Sequence, residues 1–222
     1  MFNMKVLILV LLIIILLSIF SKSSKDIKPN ITVVNSEKGR SVIATKNIKK
    51  YTLILVDTVT YHSDDYFEIL YKILNSNNEQ LLNKYFNLVP HTIDEQFTSR
   101  EEMIKELNSS KYKDYFKNMD IDTIRILFEK LSRNVFLFNE GSSIEEGGLF
   151  IDSIYFNHSC SPNVEYHIIN DKIYFYTARD IYKGEELYIS YIDQFKERSE
   201  RKKELLKGYG FDCNCELCNI KY

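Results

Sequence analysis

The segment Asn157-His158-Ser159-Cys160-Ser161-Pro162-Asn163 decides how the chain is read. It sets two amides, an imidazole, a thiol and two hydroxyls directly after an apolar stretch, Leu149 to Phe156, that reads as a strand. Clusters of this composition usually form turns, and taken alone His158 is more simply a hydrogen-bonded structural histidine than a functional one. A second feature changes that weighing. Three of the four cysteines stand in the last ten residues as Cys213-x-Cys215-x-x-Cys218, and the fourth is Cys160 itself.

Three thiolates from one turn of chain can wrap one face of a tetrahedral zinc ion at about 2.3 Å per sulfur. The fourth ligand must then come from elsewhere, and an all-thiolate site would use every cysteine in the chain. Two disulfides in an oxidising compartment are the alternative, for which Cys213 and Cys215 are poorly placed to pair with each other.

The 222 residues, 27% charged and 45% hydrophobic, suit one ordinary globular domain and exclude a collagen-like or disordered chain. Four cysteines are too few for a scaffold built from disulfides. The first thirty residues hold four lysines and one aspartate, which leaves 25 basic against 30 acidic residues in the remainder. An electrostatic grip on nucleic-acid phosphates is therefore not expected.

Val6 to Leu17 is an unbroken apolar run, with Lys5 before it and Lys22, Lys25 and Lys28 after it. Met1 to Phe20 just reaches the roughly twenty residues that span a bilayer. With no small-x-small cleavage site in view, residues 1–21 read as a signal anchor, a cleaved signal peptide being the alternative. The basic C-terminal flank favours a membrane-anchored protein with its domain in the cytosol; cleavage would make it secreted or luminal. Residues 22–30 form a polar linker.

Beyond the linker, Ile31 to Val34, Ser41 to Ala44 and Thr52 to Val59 are short runs rich in β-branched residues. Helical spacing takes over from about 63 to 133: Phe67, Leu70, Tyr71 and Leu74, then Ile121, Ile124, Leu127, Phe128 and Leu131 behind an Asp120 cap. Val164 to Ile169 and Lys172 to Ala178 alternate around Asn170-Asp171, a link suited to a tight hairpin. Lys183-Gly184 turns the chain into Glu186 to Tyr191. A charged helix follows from about Gln194 to Lys207, with Gly208 as its left-handed cap. The fold class is mainly β with a helical insert (α+β), unlike a parallel Rossmann sheet.

Three ordered motifs carry a resemblance: Asn157 to Asn163; Ala178-Arg179-Asp180-Ile181-Tyr182-Lys183-Gly184-Glu185-Glu186-Leu187-Tyr188-Ile189-Ser190-Tyr191; and Gly210-Phe211-Asp212-Cys213-Asn214-Cys215-Glu216-Leu217-Cys218. In order and spacing they resemble the C-terminal signatures of SET-domain protein lysine methyltransferases. Upstream, Lys38 to Ile48 resembles the opening strand-turn-strand of that domain. The stretch Arg133-Asn134-Val135-Phe136 through Gly147-Gly148-Leu149-Phe150 resembles the SET and MYND domain (SMYD-type) subfamily, although no cysteine-rich MYND module interrupts Tyr61 to Arg133. The likeness runs from about Val33 to Cys218.

The resemblance implies a SET-domain fold of small curled sheets with knot-like C-terminal threading and a post-SET zinc site. On this reading residues 31–193 are the SET domain with its insert, and residues 194–222 the C-terminal helix and zinc-binding segment. It further implies transfer of methyl groups from S-adenosylmethionine to lysine of a histone or another protein. Lys38, Gly39 and Arg40 would hold the cofactor through the opening turn, Asn134, Asn157 and His158 its amino acid part and adenine, and Phe211 would cover the ring. Tyr191 matches the catalytic tyrosine, which also borders the cofactor, and Phe136 a wall of the channel for the target lysine. Cys160, Cys213, Cys215 and Cys218 would hold one structural zinc. Ser41 departs from the family by replacing a second glycine in the cofactor turn. A catalytically inactive SET module that binds protein partners is the competing reading.

Overall fold

The computed structural model describes residues 30–36, 39–94, 97–138 and 146–220. Lys38 and nearly all of the 1–30 leader and linker lie outside these residues. The expected membrane anchor is corrected at this point: among the described residues no helix is long and apolar enough to cross a membrane. The longest have 12 residues, against about twenty needed. The apolar run on which the cytosolic orientation and the luminal alternative depend lies outside the described residues.

Among the described residues, ten short strands form three small sheets. The first, in the order β1 (Ile31–Ser36), β2 (Gly39–Ala44), β10 (Glu186–Ile189), β7 (Asn157–His158), brings the two ends of the domain together. The second is β3 (Leu53–Thr58), β9 (Lys172–Thr177), β8 (Val164–Ile169), and the third is β4 (Tyr61–Ser63), β6 (Gly147–Leu149), β5 (Phe136–Leu137). The β8–β9 hairpin closes at Asn170, whose φ of 54° supplies the left-handed residue that a two-residue turn needs. The apolar stretch expected as one strand from Leu149 to Phe156 is not one. Strand β6 ends at Leu149, and the chain then turns through 151–155 before entering β7. Its apolar character serves burial in the core instead of pairing: Phe150 and Phe156 are both buried.

The insert comprises α1 (Tyr66–Leu74), α2 (Glu79–Phe86), α3 (Arg100–Ser109), α4 (Lys113–Phe116) and α5 (Ile121–Ser132). Side-chain caps start the longer ones. Asp65 accepts from the Phe67 amide, Asp120 from that of Thr123, and Ser99 with Glu102 forms a reciprocal capping box. The insert has its own core, including Phe67, Ile73, Tyr85, Met103, Phe116 and Leu131, separate from the sheet core around Val42, Phe156, Phe175 and Leu187. In α1 the fully buried face includes Ile69 and Ile73, while Tyr71 and Leu74 are half-buried at its margin.

The C-terminal helix α6 spans Arg198–Tyr209, later than expected at both ends, and α7 is the short Glu216–Asn219. Its cap is Gly210, at φ 77°, and not Gly208. The shift of two residues carries Tyr209 into the last turn of the helix and Phe211 just past it. A third, small core joins Cys160, Leu205, Cys213 and Cys218 to Tyr191, Tyr209 and Phe211.

Candidate active site

Strand β10 runs antiparallel to β2, with Leu187 opposite Val42, and parallel to β7, with Tyr188 opposite Asn157 and Ile189 opposite His158. This register brings Tyr191, two residues beyond β10, beside the Asn-His segment more than thirty residues earlier. The Tyr191 amide donates to His158 Nδ1 at 3.0 Å, and its hydroxyl donates to the Phe156 carbonyl at 2.6 Å. Burial, followed by the neighbouring Tyr209 and Glu186, pushes the Tyr191 phenol well above its ordinary range. It is a neutral hydrogen-bonding group, unsuited to act as a base.

Tyr209 packs against Tyr191 with ring centres 4.8 Å apart and donates to the Tyr191 carbonyl at 3.1 Å. Two cavities share these tyrosines as a wall, together with Arg133, Asn134 and Ile154. One, of about 490 Å³, is bordered also by Phe136, Tyr166 and Ile189. The other, of about 680 Å³, is bordered by Gly39, Arg40, His91, Tyr155, Asn157 and Phe211. Both lie in the range of small-molecule sites. A third, of about 760 Å³, adds His158, Glu186 and Phe211 on the side of the cysteines.

Of the residues expected to hold a cofactor, Gly39, Arg40, Asn134, Asn157, Tyr191 and Phe211 line the second cavity, whereas His158 lines the third. Gly39, at φ 95° in the region that glycine adopts most readily, borders the second cavity. Arg40 donates to the Asn87 carbonyl at 3.0 Å and lies 4.5 Å over the Tyr155 ring. Asn134 donates to the carbonyls of Lys130 at 2.8 Å and Val89 at 3.2 Å, which fixes its amide on the shared wall. Asn157 Nδ2 reaches the Arg40 carbonyl (3.1 Å), Ser41 Oγ (3.0 Å) and Glu186 Oε1 (2.8 Å), tying β7 to β2 and β10. Ser41, which looked like a departure, is buried and serves as one of these acceptors.

Phe136 has two positions in the design at once. It borders the smaller cavity and packs edge-on against Phe150 and Tyr166, at 5.8 and 5.2 Å. Phe211 lies 6.0 Å from the His158 ring.

The four cysteine sulfurs lie within 4.8 Å of one another, and none is in a disulfide. Cys160 Sγ is 3.6 Å from Cys218 Sγ and 4.0 Å from Cys213 Sγ. Tetrahedral coordination at about 2.3 Å per sulfur requires about 3.8 Å between sulfurs, so the spacing fits a zinc ion. Burial raises the Cys213 thiol to about 11. At half-exposed Cys215 burial acts upward too, but backbone N–H groups of Cys218 and Cys160 outweigh it and bring the thiol down to about 7. Burial, then the charge of Arg201, lowers His158 to about 4, so its imidazole is neutral.

Tyr209 and Arg201 are not singled out by the sequence, and Arg133 enters it only as the first residue of the stretch Arg133-Asn134-Val135-Phe136, with no role. Tyr209 stands two residues before Phe211, and that aromatic spacing just ahead of the cysteines was the available signal. Arg201 carries none, because its importance comes from burial that a charged residue does not advertise.

The SET domain family matches residues 39–192. A SET domain-containing protein of Acanthamoeba polyphaga mimivirus is 35% identical over 196 residues, covering 82% of this chain and 74% of its own. The chain is 30% identical to the N-lysine methyltransferase SMYD2-B of Danio rerio over 135 residues, 58% of this chain but 31% of that protein. Among solved structures, the SET domain of LSMT bound to lysine and AdoHcy superposes with a TM-score of 0.61 at 17% identity, over 87% of this chain and 55% of that one. The chain belongs to the SET domain family, and its small sheets with β10 inserted between β2 and β7 are the SET fold.

Proposed function

We propose that the chain is an S-adenosylmethionine-dependent protein-lysine N-methyltransferase. The observation that carries this reading is the pair of cavities with Tyr191 and Tyr209 in their common wall. A bimolecular transfer needs two reactants to approach one point from different openings, and a shared aromatic wall supplies that point. The names of relatives that methylate lysine, and of an LSMT structure holding lysine and AdoHcy, support it.

The cavity of about 680 Å³ fits the cofactor: it is bordered by the Gly39 backbone, the Phe211 ring and the amides of Asn134 and Asn157. Lys38 would complete the turn, and His158 would border the adenine. When bound, S-adenosylmethionine supplies an electrophilic methyl group. The smaller cavity, with Phe136 and Tyr166, would take the side chain of a protein lysine. A lysine in water is mostly protonated, with a pKa of about 10.4; a desolvating aromatic wall favours the neutral amine that can attack. Tyr191, held by the Phe156 carbonyl, keeps the lone pairs of its oxygen to orient that amine. No carboxylate base is required. Cys160, Cys213, Cys215 and Cys218 would hold zinc, which fastens Phe211 and Tyr209 against the two cavities.

Purified full-length protein incubated with radiolabelled S-adenosylmethionine and a protein lysate should label lysine, located by mass spectrometry. Binding of the cofactor without transfer to any protein would favour an inactive module, and absence of cofactor binding would overturn the reading.

A further inference from the structure

His158 joins two parts of the molecule that the proposed function treats separately. Its ring is buried, and both nitrogens are engaged. Nδ1 accepts the backbone N–H of Tyr191 at 3.0 Å, and Nε2 lies 3.2 Å from Cys160 Sγ. A ring that accepts at Nδ1 is the neutral tautomer with its proton on Nε2. That proton is therefore directed at the Cys160 sulfur.

A second buried donor stands at another sulfur of the same cluster. Arg201, on α6, is 6% exposed; its Nη2 lies 3.8 Å from Cys218 Sγ, and its Nη1 donates to the Lys196 carbonyl at 2.6 Å. Four thiolates around a divalent cation carry a net double negative charge. One cationic and one neutral N–H donor, buried beside two of the four sulfurs, offset part of it.

We infer that the imidazole of His158 is a positioning group that couples the cysteine metal centre to Tyr191, with Arg201 as its companion at Cys218. The inference rests on the reading of the four cysteines as a zinc site. Its consequence for the active site is geometric. Filling the metal site fixes Cys160, Cys160 fixes the ring of His158, and the ring fixes the main chain of Tyr191, whose hydroxyl is held from the other side by Phe156. With both nitrogens committed, the His158 side chain has no donor or acceptor left for a cofactor, and contact with adenine falls to its main chain or ring face.

The first test uses the wild-type, zinc-loaded full-length chain. Long-range proton–nitrogen correlation on ¹⁵N-histidine protein should show His158 protonated at Nε2 and bare at Nδ1 at neutral pH, its signal identified by loss in His158→Phe. The second measures Zn²⁺ affinity by chelator competition, and the thiolate-to-metal absorption bands after substitution with Co²⁺. His158→Phe and Arg201→Met should each weaken Zn²⁺ binding about 10- to 100-fold and shift the Co²⁺ bands. Arg201→Lys should recover part of the affinity. Protonation at Nδ1, or unchanged affinity and bands in both variants, would overturn the inference while leaving the zinc site intact. A wild-type chain that binds no Zn²⁺ would overturn the zinc reading and the inference with it. Should His158→Phe fail to fold, Arg201→Met and wild-type spectra lacking any Nε2-protonated buried ring still decide the matter.

Discussion

The Tyr191 hydroxyl donates its proton to the carbonyl of Phe156 across 2.6 Å, so the side chain at the end of β10 is held by the residue that precedes β7. Its backbone is held by His158, two residues further along the same segment. Ring, hydroxyl and main chain are thus oriented before any substrate arrives, and reorganisation during reaction is avoided.

Tyr191→Phe should remove most of the methyl-transfer rate, by about 10² to 10³, or roughly 3 to 4 kcal/mol. The ring keeps its packing against Tyr209, so thermal stability and cofactor affinity should change little. Single-turnover transfer and calorimetric cofactor titration on the two proteins check this, and full activity in the variant would remove Tyr191 from its assigned role.

Asn157→Ala should act differently. It deletes a donor that Arg40, Ser41 and Glu186 all accept from, and the lost hydrogen bonds should cost about 1 to 3 kcal/mol. Weaker cofactor binding should accompany the lower stability. Ser41→Ala removes one acceptor of three, and urea unfolding should show the smaller loss.

Metal removal is expected to unfasten the C-terminal segment. One zinc per chain should be found by elemental analysis, and a strong chelator should lower the melting temperature. Proteolysis should then begin near 210–220, since Phe211 and Tyr209 are packed against the cysteines. A metal-free protein with unchanged melting would contradict the assignment.

Glu68 gives a signed pH dependence. Hydrogen bonds from Lys111 and Lys72 bring its carboxyl from 4.5 down to about 2. A carboxyl depressed in the folded state contributes stability fully above its unfolded value, lost as pH falls toward the folded one. Stability should therefore drop between about pH 4.5 and 2, by on the order of 1 kcal/mol once solvent screening is allowed for. In Glu68→Gln that part of the pH dependence should flatten, as read from denaturant midpoints.

Gly210→Ala should destabilise the hinge between α6 and the cysteines. The backbone there has φ 77°, and an added Cβ would lie 2.6 Å from Arg133 Nη1. Left-handed backbone alone costs an L-residue about 1 to 2 kcal/mol. Gly208→Ala, in the helix with nothing nearby, should stabilise slightly instead; thermal melts of the pair distinguish the two glycines.

Much of this protein is written in local chemistry. The hairpin at Asn170, the cap at Asp120 and the helical insert follow from turn residues, side-chain oxygens and apolar spacing, which act over a few residues and need no partner elsewhere. The cysteine spacing likewise sets three thiols in one short segment. Tertiary structure alone decided the rest, because it depends on groups distant in the chain meeting in space. The parallel pairing of β10 with β7 sets Tyr191 against Phe156 and His158. The two-residue extension of α6 to Gly210 brings Tyr209 onto the Tyr191 ring, and burial turns Ser41 into a hydrogen-bond acceptor and Arg201 into a neighbour of the thiols. No local pattern records these outcomes, since each is fixed by packing that outweighs the solvation preference of the residue taken by itself.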